Sequence, residues 1–179
     1  MIEYLPLVLT GIGIIVSILY YTSVLRNANK ARQVEMLHRL YDSKYDVEGI
    51  ERFFHLTNLE WDDFDDYVEK FSAMNNPKQA AVMDSQMSFF EGLGVIVKKQ
   101  VIDLDTVYDI FSNRIISLWL KYETVIKGWR KTVGYGPGAF YCESFEYLAN
   151  EIIRIRKQRG TNFPLGYIHP TSTLHKELS

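Results

Sequence analysis

Residues 103–129 read DLDTVYDIFSNRIISLWLKYETVIKGW. Within them Leu104, Val107, Tyr108, Phe111, Ile115, Leu118, Trp119, Tyr122, Ile126 and Trp129 recur at intervals of three and four. That period gathers apolar side chains on one side of an α-helix, whereas a half-buried strand alternates with period two. Asp103 stands where an N-cap carboxylate accepts the first unpaired N–H groups of a helix. The stretch predicts the longest soluble helix and the centre of the core.

The neighbouring segments carry the same period. Asn76-Pro77 predicts a helix start, because proline at the first helical position lacks only an N–H that would be unpaired there. Met83, Met87, Phe90, Gly94 and Val97 then follow at helical spacing. Upstream, Trp61, Phe64, Tyr67, Val68 and Phe71 predict another helix. Thr57 with Glu60 three residues on reads as its capping box, and Leu56 against Trp61 as its hydrophobic staple. Gly134-Tyr135-Gly136-Pro137-Gly138 predicts a break. A last helix carries Phe145, Leu148, Ile152 and Ile155 inward, and residues 161–179 read as an irregular tail. No segment alternates with period two over a useful length, so the expected fold is all-α.

The N-terminal residues 5–25 read LPLVLTGIGIIVSILYYTSVL, with no charge between Glu3 and Arg26. A helix needs about 20 mostly apolar residues to cross a hydrocarbon core of ~30 Å. Tyr4 at one end and Tyr20 with Tyr21 at the other suit the two interfaces. A signal peptide would carry its basic residues before the run and a small-residue cleavage site after it. Here Arg26, Lys30, Arg32 and Arg39 follow the run, so an uncleaved single-pass anchor is expected. The positive-inside rule places the N-terminus outside and the remainder in the cytoplasm, at the inner membrane of the cell. A lone Cys142 and the absence of any N-x-S/T acceptor agree with that side. Neither glycine nor proline occurs between Gly13 and Gly49, so the spanning helix is expected to continue as a stalk. The expected division is anchor 1–25, stalk 26–45, helical domain 46–160 and tail 161–179.

The stretch from Phe89-Phe90-Glu91-Gly92-Leu93-Gly94-Val95-Ile96-Val97-Lys98-Lys99 through Val101-Ile102-Asp103 to Val107-Tyr108-Asp109-Ile110-Phe111, with Trp119 later, resembles a known family. It is a domain-of-unknown-function family of short prokaryotic proteins with an N-terminal membrane helix and a helical cytoplasmic domain. The resemblance is detailed over residues 83–130 and architectural over the whole chain. It implies the architecture and carries no activity onto any residue.

The chain holds 20 basic and 22 acidic residues, a net charge of −2, so no global field selects a polyanionic partner. Residues 42–71, however, hold ten acids against three bases. Asp62, Asp66 and Glu69 lie one turn apart and could bridge a hard cation. Their simpler reading is charge complementing a helix N-terminus. His38, His55, His169 and His175 show no zinc spacing, and no cofactor is expected. The glycine loop lacks the G-K-[ST] ending of a phosphate cradle. Cys142 reads as a structural thiol.

Arg26, Lys30 and Arg32, and the basic helix end with Arg154, Arg156 and Lys157, are candidate contacts for anionic lipid. No aromatic platform interleaves with these bases, which argues against nucleic acid. Thr10, Gly13 and Ser17 share one face of the anchor and offer a surface for a homodimer. The leading expectation is a non-catalytic interaction or adaptor module at the cytoplasmic membrane face, with an unidentified protein partner. Two alternatives stand beside it. One is an enzyme using the acids of 62–69 with Glu91; the other binds a lipid or small ligand in a cavity lined by Met83, Met87 and nearby aromatics.

Overall fold

The computed structural model describes residues 4–132 and 140–161, and they form six helices with no strand among them. These are α1 (Leu5–Tyr45), α2 (Val47–Asn58), α3 (Phe64–Phe71), α4 (Pro77–Lys98), α5 (Leu104–Lys131) and α6 (Glu143–Arg159). The all-α expectation holds. The glycine loop at 134–138, the tail from residue 162 on, His169 and His175 lie outside the described residues.

The chain divides into two units, residues 1–44 and 45–179. The described residues of the first belong to the single helix α1 and the turn at Tyr4 that precedes it. The helix is long and apolar enough to cross a membrane, and none of its apolar stretch is buried. Its hydroxyls bond within the helix: Thr10 Oγ1 donates to the Pro6 carbonyl and Ser17 Oγ to the Gly13 carbonyl, each at 2.8 Å. Such internal pairing removes the cost of carrying a hydroxyl into hydrocarbon.

In the second unit α5 is the centre. The single apolar stripe seen in its sequence is too narrow a description, since Ile116, Leu120 and Val125 are buried as well. The reason is cover on two sides: α6 packs against both α4 and α5, while α2 and α3 pack on α5. A helix enclosed in this way is apolar almost all round.

Two predicted starts are found. Asp103 accepts the Thr106 N–H at 2.7 Å, and Asn76 accepts the Gln79 N–H at 3.2 Å with Pro77 first in the helix. The Thr57 capping box is not found. Thr57 lies inside α2, where its Oγ1 donates to the Phe53 carbonyl at 3.0 Å. Asp46 starts α2 earlier by accepting the Gly49 N–H at 2.7 Å. Leu56, at the far end of that helix, is held by Tyr122, whose hydroxyl donates to the Leu56 carbonyl at 3.0 Å. The cap of α3 is Asp63, which accepts the Asp66 N–H at 3.0 Å. Six residues further along, the same chemistry is performed by a different side chain.

Candidate functional site

Several of the charged residues singled out in the sequence are occupied by structural partners. Asp66 accepts the Asp62 N–H at 2.9 Å and the Lys70 ammonium at 2.7 Å. The hydrogen bond from Lys70 is the main reason its carboxyl sits below the usual carboxylate range. Among the described residues, no group of three histidine, cysteine or acidic side chains is placed to hold a metal. Asp62, Asp66 and Glu69 are therefore not gathered into a cage.

Glu91 is nowhere near those acids in role. Its carboxylate accepts the Ser144 N–H at 3.1 Å and the Phe145 N–H at 2.8 Å. It thus caps α6 from another helix. The reason is local: Cys142, at the cap position, adopts a left-handed conformation (φ 56°) and makes no side-chain cap bond. Glu91 and Asp66, the two acids of the enzyme alternative with hydrogen bonds in this structure, each accept backbone N–H groups at a helix start. The Cys142 thiol is buried and pushed up to about 12, first by burial and then by the Glu91 carboxylate. It is a structural thiol.

At the basic end of α6 the three candidate lipid contacts are placed differently: Arg154 and Lys157 are exposed and Arg156 is buried. Arg156 is only 7 % exposed, with Nη2 donating to Asn113 Oδ1 at 2.6 Å and Ser112 Oγ at 3.3 Å. A lipid headgroup cannot reach it there. Arg154 pairs with Glu151 at 2.7 Å, and Arg159 with Asp105 and Asp109 at 3.1 and 3.4 Å. Lys157 is exposed on α6, and Arg26, Lys30 and Arg32 are exposed on α1.

An aromatic-walled concavity of the domain lies elsewhere. A cleft of about 420 Å³ opens between α3, the start of α4 and the end of α5, with Tyr67, Phe71, Met83, Asp84, Trp129 and Tyr141 among its walls. The volume falls in the range of small-molecule sites, roughly 300–1,000 Å³. Each wall is held from behind. Tyr67 packs on Trp61 at 5.1 Å and on Phe71 at 5.5 Å between ring centres. Trp129 meets Phe64 edge-on at 5.3 Å. Phe64 fits because residue 128 is glycine; a Cβ there would lie 2.3 Å from its ring. The Tyr141 carbonyl accepts Arg130 Nε at 2.8 Å, and Arg130 is neutralised by Glu146 at 2.5 Å. The Asn75 side chain donates to the Glu69 carbonyl at 2.9 Å and closes the end of α3.

Of the two methionines expected to line a cavity, Met83 does so, while Met87 is buried in the core. The cleft is at the surface of the bundle, not in its centre. Asp84, Trp129 and Tyr141 were not singled out as site residues. Nothing in their local sequence marks them, because three segments bring them together.

A helical domain preceded by one membrane-length apolar helix is the class these features define. The chain matches the family described as Domain of unknown function (DUF4760) over residues 7–152, and it belongs to that family. No curated protein and no solved structure matches it.

Proposed function

We propose that this protein is a single-pass, membrane-tethered binding module, with the N-terminus outside and its helical domain held at the cytoplasmic face. The observation that carries the reading is the unburied apolar half of α1, which continues without a break into a charged half. An apolar surface of that length has no partner in the fold, and soluble proteins rarely expose so large a patch. The family match begins at residue 7, inside the apolar run, so the run is part of the family's shared unit. That supports an anchor over a cleaved leader. Arg26, Lys30 and Arg32 follow the run, which supports the cytoplasmic side for the domain. Self-association through Thr10, Gly13 and Ser17 belongs to the same reading, since a Cβ at Gly13 would meet nothing within 4 Å and the face is open.

The consumption of Glu91 and Asp66 in caps favours binding over catalysis as the domain's role. The test is fractionation of the full chain with a C-terminal fluorescent or phosphatase reporter. The reading expects the protein to resist alkaline carbonate, keep residues 1–25, and show fluorescence without phosphatase activity. Release by carbonate, an N-terminus beginning after residue 25, or an active phosphatase would overturn it.

A further inference from the structure

The cleft beside Tyr67 has a composition more specific than its shape. Four of its walls are aromatic: Tyr67, Phe71, Trp129 and Tyr141. Its one charged lining residue is Asp84, which is exposed and has no ion pair among the described residues. Arg130, whose Nε donates to the Tyr141 carbonyl at 2.8 Å, already carries Glu146 as its counter-ion. The lining therefore presents a net negative charge against π-faces. Tyr67 is 2 % exposed and fixed by the Trp61 and Phe71 rings, so it stands as a rigid wall of the cleft.

From this juxtaposition we infer that the cleft binds a small alkylammonium ion, its cationic head over the aromatic rings and its charge balanced by Asp84. Aromatic rings attract cations through the negative potential of their faces, and tryptophan does so best. A carboxylate at the rim adds steering and repels anions. Phosphates and nucleotides fit poorly, because no basic side chain lines the cleft. A purely apolar guest would leave Asp84 without a function. The inference does not depend on where the domain is tethered.

The experiment uses the full chain in maltoside micelles, with choline as the probe and 3,3-dimethylbutan-1-ol as its neutral isostere, followed by calorimetry and ligand-observed NMR. Choline is expected to bind saturably and the isostere much more weakly, with affinity falling as salt rises. Asp84→Asn should weaken choline by about three- to fivefold, the size of a partly exposed charge pair. Asp84→Lys should abolish binding, because the new ammonium repels the probe. Asp84 is exposed and makes no hydrogen bond or ion pair among the described residues, so both variants should keep the parent's circular dichroism and melting behaviour. Trp129→Leu should weaken choline by about tenfold. Repeating the titration in phosphatidylcholine and phosphatidylglycerol discs separates two sources of the same chemistry. Weaker binding in the former assigns a lipid headgroup, and equal binding a free ion. Equal affinity for the isostere, an Asp84→Asn variant that binds as the parent does, or no saturable choline binding would overturn the inference.

Discussion

The Glu91 carboxylate accepts the Phe145 N–H at 2.8 Å, across 54 residues of chain. Helix α6 thus begins on a side chain borrowed from α4. Cap substitutions cost about 0.5–2 kcal/mol, so Glu91→Ala should destabilise the domain within that range. Glu91→Gln keeps an acceptor and loses only the charge facing the helix dipole, which predicts a smaller loss of about 0.3–1 kcal/mol. Denaturant unfolding of the two variants checks the order.

Just beyond that cap, α4 and α6 cross closely at Gly94. A Cβ there would stand 2.1 Å from the Ser144 carbonyl oxygen, which is backbone and cannot swing away. Gly94→Ala should therefore force the helices apart and cost about 1–3 kcal/mol, the usual range for overpacking. Gly92, two residues earlier, has nothing within 4 Å of the same added atom. Gly92→Ala should be neutral or stabilising by up to about 1 kcal/mol, since alanine is the better helix former. Opposite signs in thermal melts are the expected outcome.

Cys142 predicts a pH effect on the alkaline side. Burial and the Glu91 carboxylate lift its thiol from 9.0 to about 12 in the folded protein. A group raised in the folded state favours folding fully below its unfolded value and loses that contribution as pH rises through the folded one. Stability should fall between about pH 9 and pH 12, and Cys142→Ser should remove part of that fall. Thiol-reactive probes at pH 8 should modify the protein only on unfolding. Rapid labelling of the native state would contradict the burial.

Asp103 acts on the acid side. Hydrogen bonds from Thr106, first from its side chain and then from its N–H, hold the carboxyl below its ordinary 3.8. A lowered carboxylate stabilises above the unfolded value and ceases to do so as pH falls through the folded one. Asp103→Ala should cost about 1 kcal/mol at neutral pH. The difference between parent and variant should shrink below pH 3.8. Melts at pH 7 and in acid measure both.

Much of the fold was legible because its determinants are local. The three-and-four period through Val107, Phe111, Ile115 and Leu118 is a property of one segment, and so are the caps at Asn76 and Asp103. The Thr57 capping box failed for an instructive reason. Its motif is sound locally, yet Asp46 and the Tyr122–Leu56 bond extend α2 through Thr57 and move the next start to Asp63. The site was hardly legible at all. Met83 was in view, but Asp84, Trp129 and Tyr141 acquire meaning only when α3, α4 and the end of α5 meet.

By itself the sequence determined the helical class, the apolar N-terminal helix and the starts of α4 and α5. Each depends on residues three or four apart, or on the summed transfer preference of one run. Only the tertiary structure decided that Glu91 caps α6 and that Gly94 admits a neighbouring backbone. It also buried Arg156, and it left Asp84 unpaired beside four aromatic rings. Those outcomes depend on which distant segments come within a few ångströms, and spacing along the chain does not encode that distance.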